Sequence, residues 1–265
     1  MKIKEIVSAL ERFAPLPLQD GFDNAGLQIG LTEAEATGAL LCLDVTEAVL
    51  DEAIALGYNL VISHHPLIFK GYKSITGKDY VERCILKAIK NDIVIYSAHT
   101  NLDNAYGGVN YKIAEKIGLK NLQVLEPKEN SLQDDLTQVG AGIVGELDEP
   151  ETELEFLKRI KKTFEVGCVR HNRLTGREIQ KVALCGGAGA FLLPQAIRAG
   201  ADVFITGEIK YHDYFGHEGD ILMAEIGHYE SEQYTKEIFY SIIRDLFPNF
   251  ALQSSKINTN PIKYL

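Results

Sequence analysis

Short apolar runs of strand length alternate with segments of helical periodicity along most of this chain, and this alternation limits its fold more than any other feature. The runs that predict strands in the first half are 39–43, 59–63 and 93–97, and the segments that predict helices are 46–56, 79–91 and 108–117. Thr46 is a predicted N-cap, and Gly57 is a predicted stop. Parallel strands need crossover connections of about a dozen residues, usually a helix. The order therefore predicts a largely parallel sheet covered by helices.

A second α/β unit is predicted after residues 126–136, which are polar and interrupt the alternation. Its predicted strands are 138–147, 182–185, 203–206 and 221–225, and its predicted helices are 151–164, 190–199, 208–215 and 230–246. The tail after Phe250 is expected to return as an edge strand. We therefore predict an α/β fold of two interlinked α/β lobes, 1–128 and 129–265, each with a mostly parallel or mixed central sheet flanked by helices.

Charge and cysteine content limit the functional classes. The net charge is 27 − 37 = −10, which argues against direct binding to nucleic acid or to an anionic membrane surface. The four cysteines include no Cys-x-x-Cys, so neither a disulfide framework nor a thiolate zinc site is expected, and a reducing cytoplasm is the predicted location. The start of the chain has the apolar spacing of an amphipathic helix rather than of a signal peptide, at Ile3, Ile6, Val7 and Leu10.

Three predicted strands lead directly into histidines. One is followed by His64 and His65, one by segment 99–103 and one by segment 227–232. Functional groups of an α/β sheet gather at the carboxyl ends of its strands. Adjacent side chains on a strand point to opposite faces, so His64 and His65 are expected to splay and to suit two different ions. The alternative is that the pair only forms hydrogen bonds at a turn.

Five side chains are candidate metal ligands: His64, His65, Asp103, His228 and Glu232. Imidazole and carboxylate donors suit zinc, manganese, iron, cobalt or nickel. Five protein ligands are too many for one open catalytic ion and suit two divalent ions that share a bridging carboxylate, for which we choose Glu232. If a helix begins at His228, Glu232 shares its face. Alternatively, some of the five are capping or surface residues, above all Asp103, because Asn-Leu-Asp-Asn before a helix is also an N-cap pattern.

Other polar side chains are expected near the site without binding metal. His99 is a candidate proton shuttle, with a hydrogen-bonding structural role as the alternative. Glu208 is a candidate base or a partner of a ligand, and His212 lies four residues further on. Asp23, in a turn-rich segment, is expected to be structural. Loop 185–190, Cys-Gly-Gly-Ala-Gly-Ala, offers amides to an anion, but a tight turn is its expected role.

Six short segments, in order, resemble the Nif-three-like family, whose bacterial members are often called GTP cyclohydrolase I type 2 homologues. The segments are Asp23-Asn-Ala-Gly-Leu27, Ser63-His-His-Pro66, His99-Thr-Asn-Leu-Asp103, Cys185-Gly-Gly-Ala-Gly189, Ile205-Thr-Gly-Glu208 and Gly227-His-Tyr-x-Ser-Glu232. The resemblance spans nearly the whole chain. Phe22 stands where the family usually has tryptophan, and the length of 265 residues corresponds to the compact form without an inserted middle domain.

The resemblance also implies details of the metal site. It assigns His65 and Asp103 to one ion, His64 and His228 to the other, and Glu232 to both. It further implies a toroidal homohexamer whose metal sites face an internal cavity.

Two functions of different classes are consistent with these residues. The first is a metal-dependent hydrolase, in which a metal-bound hydroxide attacks a nucleotide or a phosphoester and His99 or Glu208 moves protons. The second is a non-enzymatic metal-binding protein with an interaction or regulatory role. A purely structural metal site fits poorly, because structural zinc usually has four ligands, often cysteines.

Overall fold

The computed structural model describes residues 1–128 and 139–265. The predicted interruption at 126–136 lies largely outside the described residues, as do the start of the lobe predicted at 129–265 and the first residue of the strand predicted at 138–147. Two compact units are present. One comprises Met1–Leu102 and Thr235–Pro261, and the other comprises Asp103–Tyr234 and Ile262–Leu265. The boundary between the two predicted lobes stays a prediction.

The elements follow one another with the alternation that the sequence predicts. The helices are Ile3–Phe13 (α1), Glu47–Leu56 (α2), Tyr80–Lys90 (α3), Thr100–Asn104 (α4), Val109–Ile117 (α5), Glu153–Thr163 (α6), Leu193–Arg198 (α7), His228–Glu232 (α8) and Thr235–Leu246 (α9). The strands are Gly26–Ile29 (β1), Ala39–Cys42 (β2), Leu60–Ser63 (β3), Val94–Ser97 (β4), Lys120–Pro127 (β5), Gly140–Thr152 (β6), Arg170–His171 (β7), Glu178–Cys185 (β8), Val203–Thr206 (β9), Leu222–Glu225 (β10) and Leu252–Ser254 (β11). Short 3-10 turns lie at Leu16–Leu18, Gly189–Leu192 and Tyr211–Tyr214.

The first unit contains a five-stranded sheet in the order β1-β4-β3-β2-β11. All pairs are parallel except β1 with β4. Residues on one face, such as Leu40, Val61 and Ile95, pack in a core with Leu50 of α2 and Ile85 of α3. The alternating residues are buried as well, which explains why these strands are continuous apolar runs.

Helix α2 shows that local rules fix the element boundaries. The side chain of Thr46 accepts a hydrogen bond from the amide of Val49, which is the predicted N-cap. Gly57 ends the helix with φ at +68°, in the left-handed region that glycine adopts without steric cost. Both predicted boundaries are therefore confirmed.

The second unit contains a six-stranded mixed sheet in the order β5-β6-β8-β9-β10-β7. The three central strands β8, β9 and β10 are parallel, and the others are antiparallel to their neighbours. Ala183, Phe204 and Met223 pack in one core with Leu193 and Ala196 of α7, while α5 and α6 contact β6 and β8. Each unit thus has a central sheet flanked by helices, which confirms the α/β class.

Among the strands of the described residues, three were not predicted, and all three lie at sheet edges: β1, β5 and β7. An edge strand is partly exposed and mixes polar with apolar residues, as β5 does, so it lacks the apolar run of a central strand. The tail strand β11 is confirmed as an edge strand, parallel to β2. The last predicted helix, 230–246, is in fact two helices, α8 and α9.

Within the described parts of the chain, no helix is long and apolar enough to cross a lipid bilayer.

Candidate functional site

Three histidines of the first unit lie at the carboxyl ends of neighbouring parallel strands. His64 and His65 follow β3 directly, and His99 comes two residues after β4. Ring centroids lie 4.9 Å apart for His64 and His65, 5.2 Å for His64 and His99, and 5.5 Å for His65 and His99. One nitrogen from each ring lies within 4.8 Å of the others, so the three could hold a metal ion. The predicted convergence of these two loops is confirmed.

The prediction that His64 and His65 splay to opposite faces is wrong. Their rings lie 4.9 Å apart at an interplanar angle of 47°. The prediction assumed that both residues continue the strand, whereas β3 ends at Ser63. Beyond that point the backbone turns, because both histidine amides donate to the carbonyl of Leu43, at 3.2 and 3.0 Å. The assignment of the two rings to different ions stays a prediction.

The hydrogen bonds of His64 and His65 determine which ring nitrogen is available as a ligand atom. Nδ1 of His64 lies 2.9 Å from the carbonyl oxygen of Ala98, which can only accept, so Nδ1 is the donor. Nδ1 of His65 donates to Oδ1 of Asp44 at 2.7 Å. In the neutral imidazole, Nε2 then carries the electron pair that a metal ion requires.

Asp44 is held as a carboxylate behind His65. Burial raises the pKa of Asp44, but the hydrogen bonds from His65 and Thr259, together with the electrostatic attraction of the His65 and His64 rings, outweigh burial, and the pKa lies below its ordinary value. The hydroxyl of Thr259, in the C-terminal tail, donates to the other oxygen of Asp44 at 2.5 Å. An ionised acceptor makes the bond to His65 charge-assisted, which stabilises the Nδ1–H form of that ring.

His99 is oriented in the same way by Asp23. Nδ1 of His99 donates to Oδ1 of Asp23 at 2.7 Å, and the amide of Thr100 donates to Oδ2 at 3.0 Å. Burial raises the pKa of Asp23, but the hydrogen bonds from His99 and Thr100 outweigh it and bring the pKa to about 2. Asp23 was expected to be a structural turn residue, and it is an ionised carboxylate that positions a candidate catalytic ring.

Sequence reasoning missed the roles of Asp23 and Asp44. Asp23 lies 76 residues before His99, and no local pattern connects the two. Asp44 offered a usable indication, because it follows a parallel strand at the same sheet edge as His65. Carboxylates beyond the carboxyl ends of parallel strands could have been collected in the same way as the histidines.

Phe22, which stands where the resemblance expects tryptophan, belongs to a chain of aromatic contacts. Its ring centroid lies 6.4 Å from that of Phe69, which lies 6.2 Å from that of His99. An aromatic ring is therefore retained beside Phe69 at this position.

In the second unit, His228 and Glu232 lie on one face of α8, as predicted. Nε2 of His228 is 3.2 Å from Oε2 of Glu232. Two ligand atoms at about 2.0–2.2 Å from one tetrahedral ion lie roughly 3.4 Å apart, so this spacing fits a shared ion. Nδ1 of His228 donates to Oε1 of Glu208 at 2.7 Å. Of the two predicted roles for Glu208, this geometry matches the partner of a ligand.

The glycine-rich loop after β8 makes room for Glu232. Gly187 has φ at +58°, and a Cβ at this position would lie 2.3 Å from Oε1 of Glu232. The loop amides are used internally: Gly187 donates to the hydroxyl of Ser231 and Gly189 donates to that of Thr206, each at 3.0 Å. The loop is thus a tight turn that admits a carboxylate, which confirms the expected role.

Asp103 lies within α4 and is not an N-cap. The helix that follows, α5, begins after Gly108, which occupies the cap position. The side chain of Asn110 donates to the carbonyl oxygen of Asp103 at 3.1 Å and accepts from the amide of Gly186 at 3.0 Å. Asn110 therefore ties Asp103 to the loop that receives the Glu232 carboxylate.

A cavity of about 560 Å³ adjoins Glu208 in the second unit. The glycine-rich loop contributes Ala188 and Ala190 to its walls, and the segment after Glu208 contributes His212 and Phe215. The predicted helix at 208–215 is a 3-10 turn, which leaves the His212 side chain exposed at the cavity. The size is within the range of small-molecule sites, roughly 300–1,000 Å³.

The donor atoms in both units fit a divalent transition metal. In four histidines, Nδ1 donates to a carboxylate or a carbonyl oxygen, which leaves Nε2 as the ligand atom: His64, His65, His99 and His228. Glu232 adds a carboxylate that is almost fully buried. Neutral imidazole and carboxylate groups suit zinc, manganese, iron, cobalt and nickel alike.

Comparison with known proteins places these features in one family. The family model described as Duf34/NIF3 (NGG1p interacting factor 3) matches residues 1–261. A Clostridium perfringens protein named "GTP cyclohydrolase 1 type 2 homolog" is 37% identical over 235 residues, which are 88% of this chain and 87% of the relative. A Lactococcus lactis protein of the same name is 34% identical over 271 residues, with 98% of each chain covered.

A solved structure has the same fold. The crystal structure of Staphylococcus aureus protein SA1388 superposes with a TM-score of 0.91 at 30% sequence identity. The superposition covers 100% of this chain and 99% of the other.

Proposed function

Since the chain belongs to the Duf34/NIF3 family, we propose that it is a metal-dependent hydrolase with two divalent ions per chain. The proposed ligands are His64, His65, Asp103, His228 and Glu232. One observation carries the proposal: three of these are histidines, and each donates its Nδ1–H to a carbonyl or carboxylate oxygen. This arrangement is typical of metal-binding histidines, because it fixes the tautomer and orients Nε2.

The sharing of ligands between the two ions follows the family resemblance. His65 and Asp103 would bind one ion, His64 and His228 would bind the other, and Glu232 would bridge both. In support, Glu232 and His228 already have a spacing that suits a common ion. The metal is one of zinc, manganese, iron, cobalt or nickel.

Two divalent ions, when bound, supply Lewis acidity and lower the pKa of water. The chain's own residues then have separate tasks. His99, with the Asp23 carboxylate behind its Nδ1, is suited to accept or deliver a proton at Nε2. Glu208 orients His228 and is a positioning residue for that ligand. The cavity beside Glu208 is large enough for a small molecule.

The proposed substrate is a nucleotide or another phosphoester. The relatives named "GTP cyclohydrolase 1 type 2 homolog" favour a nucleotide such as GTP. We further propose a cytoplasmic protein that assembles as a toroidal homohexamer. Light scattering coupled to size-exclusion chromatography tests the assembly, and a monomer would overturn that part.

Metal content per chain tests the proposal directly. Inductively coupled plasma mass spectrometry on protein purified without chelator or histidine tag should find about two ions per chain. Glu232→Gln should lose metal, whereas Glu115→Gln, at an exposed glutamate paired with Lys112, should keep it. Turnover of GTP or of a chromogenic phosphoester should follow metal content. One ion or none after reconstitution, or two ions with no turnover of either substrate, would contradict the hydrolase.

A non-enzymatic interaction protein is the second candidate. Its support is the family description, NGG1p interacting factor 3, which names a binding partner rather than a reaction. In that case a partner should be recovered equally well by the wild type and by a His65→Ala, Glu232→Ala double variant. Loss of a measurable turnover in the double variant would favour the enzyme.

A further inference from the structure

A second cavity of the second unit, beside the edge strand β7, has no place in the function proposed so far. Its volume is about 560 Å³, which is within the range of small-molecule sites of roughly 300–1,000 Å³. Its walls come from residues 169–173 and from the segment 211–218. The side chains that give it its character are Arg170, His171, Arg173, Tyr211, Tyr214 and Phe215.

Aromatic rings and guanidinium groups dominate these walls. Tyr211 and Phe215 are 68% and 56% exposed, and their ring centroids lie 5.3 Å apart in a T-shaped pair. Clustered exposed aromatic rings are unusual on a protein surface and indicate a binding site for a ligand or a partner. The guanidinium of Arg170 lies 5.7 Å from the ring centroid of Tyr214. Two arginines at one cavity stand out in a chain of net charge −10.

One carboxylate holds part of this wall in place. Glu225, the last residue of β10, accepts from Nη1 of Arg170 at 2.7 Å, and from the Tyr214 hydroxyl and the Ile209 amide at 3.1 Å each. Burial and the nearby Glu225 raise the pKa of Tyr214, so its hydroxyl remains a donor. Because these side chains are fixed in advance, binding costs less conformational entropy.

The chemistry of the walls matches a planar ring that carries negative charge. Aromatic side chains stack on heteroaromatic rings. Guanidinium groups bind phosphate in a planar, bidentate manner. Glu218, which also lines the cavity, offers an acceptor to ring N–H groups.

One side chain is common to this cavity and to the cavity beside Glu208. Phe215 lines both this cavity and the one that adjoins Glu208. Glu208 in turn holds the Nδ1 of His228. The two cavities therefore share one aromatic side chain, and the other cavity adjoins the residue that positions a proposed metal ligand.

We propose that the arginine–aromatic cavity beside β7 is the recognition site for a nucleoside phosphate. The base lies against Tyr211 and Phe215, and a phosphate pairs with Arg173 and the exposed part of Arg170. This proposal rests on the proposed function and identifies its substrate class.

Calorimetric titration of the full chain with GTP tests the site, both in chelator and with metal restored. Guanosine and inorganic triphosphate serve as the two halves of the ligand. GTP should bind in chelator, and about tenfold more tightly than either half. Arg173→Gln and Phe215→Ala should each weaken binding by about tenfold or more. The matched controls Arg198→Gln and Tyr240→Ala, at other exposed positions, should leave it unchanged.

Three results would overturn the site: no GTP binding by the wild type, unchanged binding in Arg173→Gln and Phe215→Ala, or equal losses in the controls. A change of oligomeric state in Phe215→Ala, with unchanged GTP affinity, would instead identify this face as a contact between copies of the chain and also overturn it. Metal content measured on the same samples separates the proposals. After reconstitution, protein that holds two ions but does not bind GTP contradicts only this site. Protein that binds GTP but takes up no ions on reconstitution contradicts only the metal-dependent hydrolase.

Discussion

Asp44 provides the sharpest test of how the first unit orients a proposed metal ligand, His65. Its Oδ1 accepts from Nδ1 of His65 at 2.7 Å, and its pKa is held below the ordinary value, so the contact is a charge-assisted hydrogen bond. Removing such a partner of a metal-binding histidine typically costs 10–100-fold in metal affinity, or about 1.4–2.7 kcal/mol. Replacement by alanine should reach the upper part of that range, about 100-fold.

A graded pair of variants makes the argument stricter. Asp44→Asn keeps an oxygen that can accept from His65 and loses only the charge, so we expect a loss of about tenfold. Asp51→Asn is the matched control, because Asp51 is an exposed carboxylate paired with Lys87. This variant should leave the affinity for metal unchanged.

The assay is competition between the protein and a metal-binding dye, with folding of each variant checked by circular dichroism. The predicted order of affinity is wild type, then Asp44→Asn, then Asp44→Ala. If folded Asp44→Ala kept the wild-type affinity within about twofold, the hydrogen bond to His65 would not prepare a ligand, and the reasoning from Nδ1 contacts would fail.

Three further predictions concern other parts of the chain. Gly187→Ala should lose metal, because its Cβ would meet the Glu232 carboxylate. The control is Gly200→Ala, where φ is +69° and no atom lies near the added Cβ. This control should keep its metal and lose only about 1–2 kcal/mol of unfolding free energy in urea, which is the backbone cost. Hydrogen bonds outweigh burial and bring the pKa of Glu82 to about 2, so the stability that this carboxylate contributes is complete above its unfolded pKa of about 4.3 and is lost as pH falls toward 2. In thermal melts from pH 2 to 5, the melting temperature of Glu82→Gln should therefore depend less on pH than that of the wild type. An equal pH dependence in the two proteins would contradict this prediction. Thr46→Ala should lower the free energy of unfolding by about 1 kcal/mol, and no change in urea unfolding would mean that the cap contributes nothing.

The sequence predicts most of the central elements and the histidines at their ends, because both depend on local patterns. Buried parallel strands are apolar runs, and His64, His65 and His228 follow them within a few residues. The partners of these histidines were not predictable in the same way. Thr259 reaches Asp44 from 215 residues away, and the acceptor for His64 is a backbone carbonyl that has no identity in the sequence. Such contacts depend on tertiary packing.

The two units contain the same arrangement of carboxylate and imidazole. In the first unit, Asp44 follows β2 and holds His65, which follows the adjacent parallel strand β3. In the second, Glu208 follows β9 and holds His228, which follows the adjacent parallel strand β10.

The register of the strands explains the repetition. Cys42 pairs with Ser63 in one sheet, and Thr206 pairs with Glu225 in the other, so each pair of neighbouring strands ends level. Adjacent strands are about 4.8 Å apart, a distance that an acidic side chain and an imidazole can bridge from residues two or three positions beyond the strand ends. A carboxylate after one strand can therefore reach a histidine after the next where both strands stop together. The geometry of the proposed ligands His65 and His228 thus depends on sheet register as well as on residue identity.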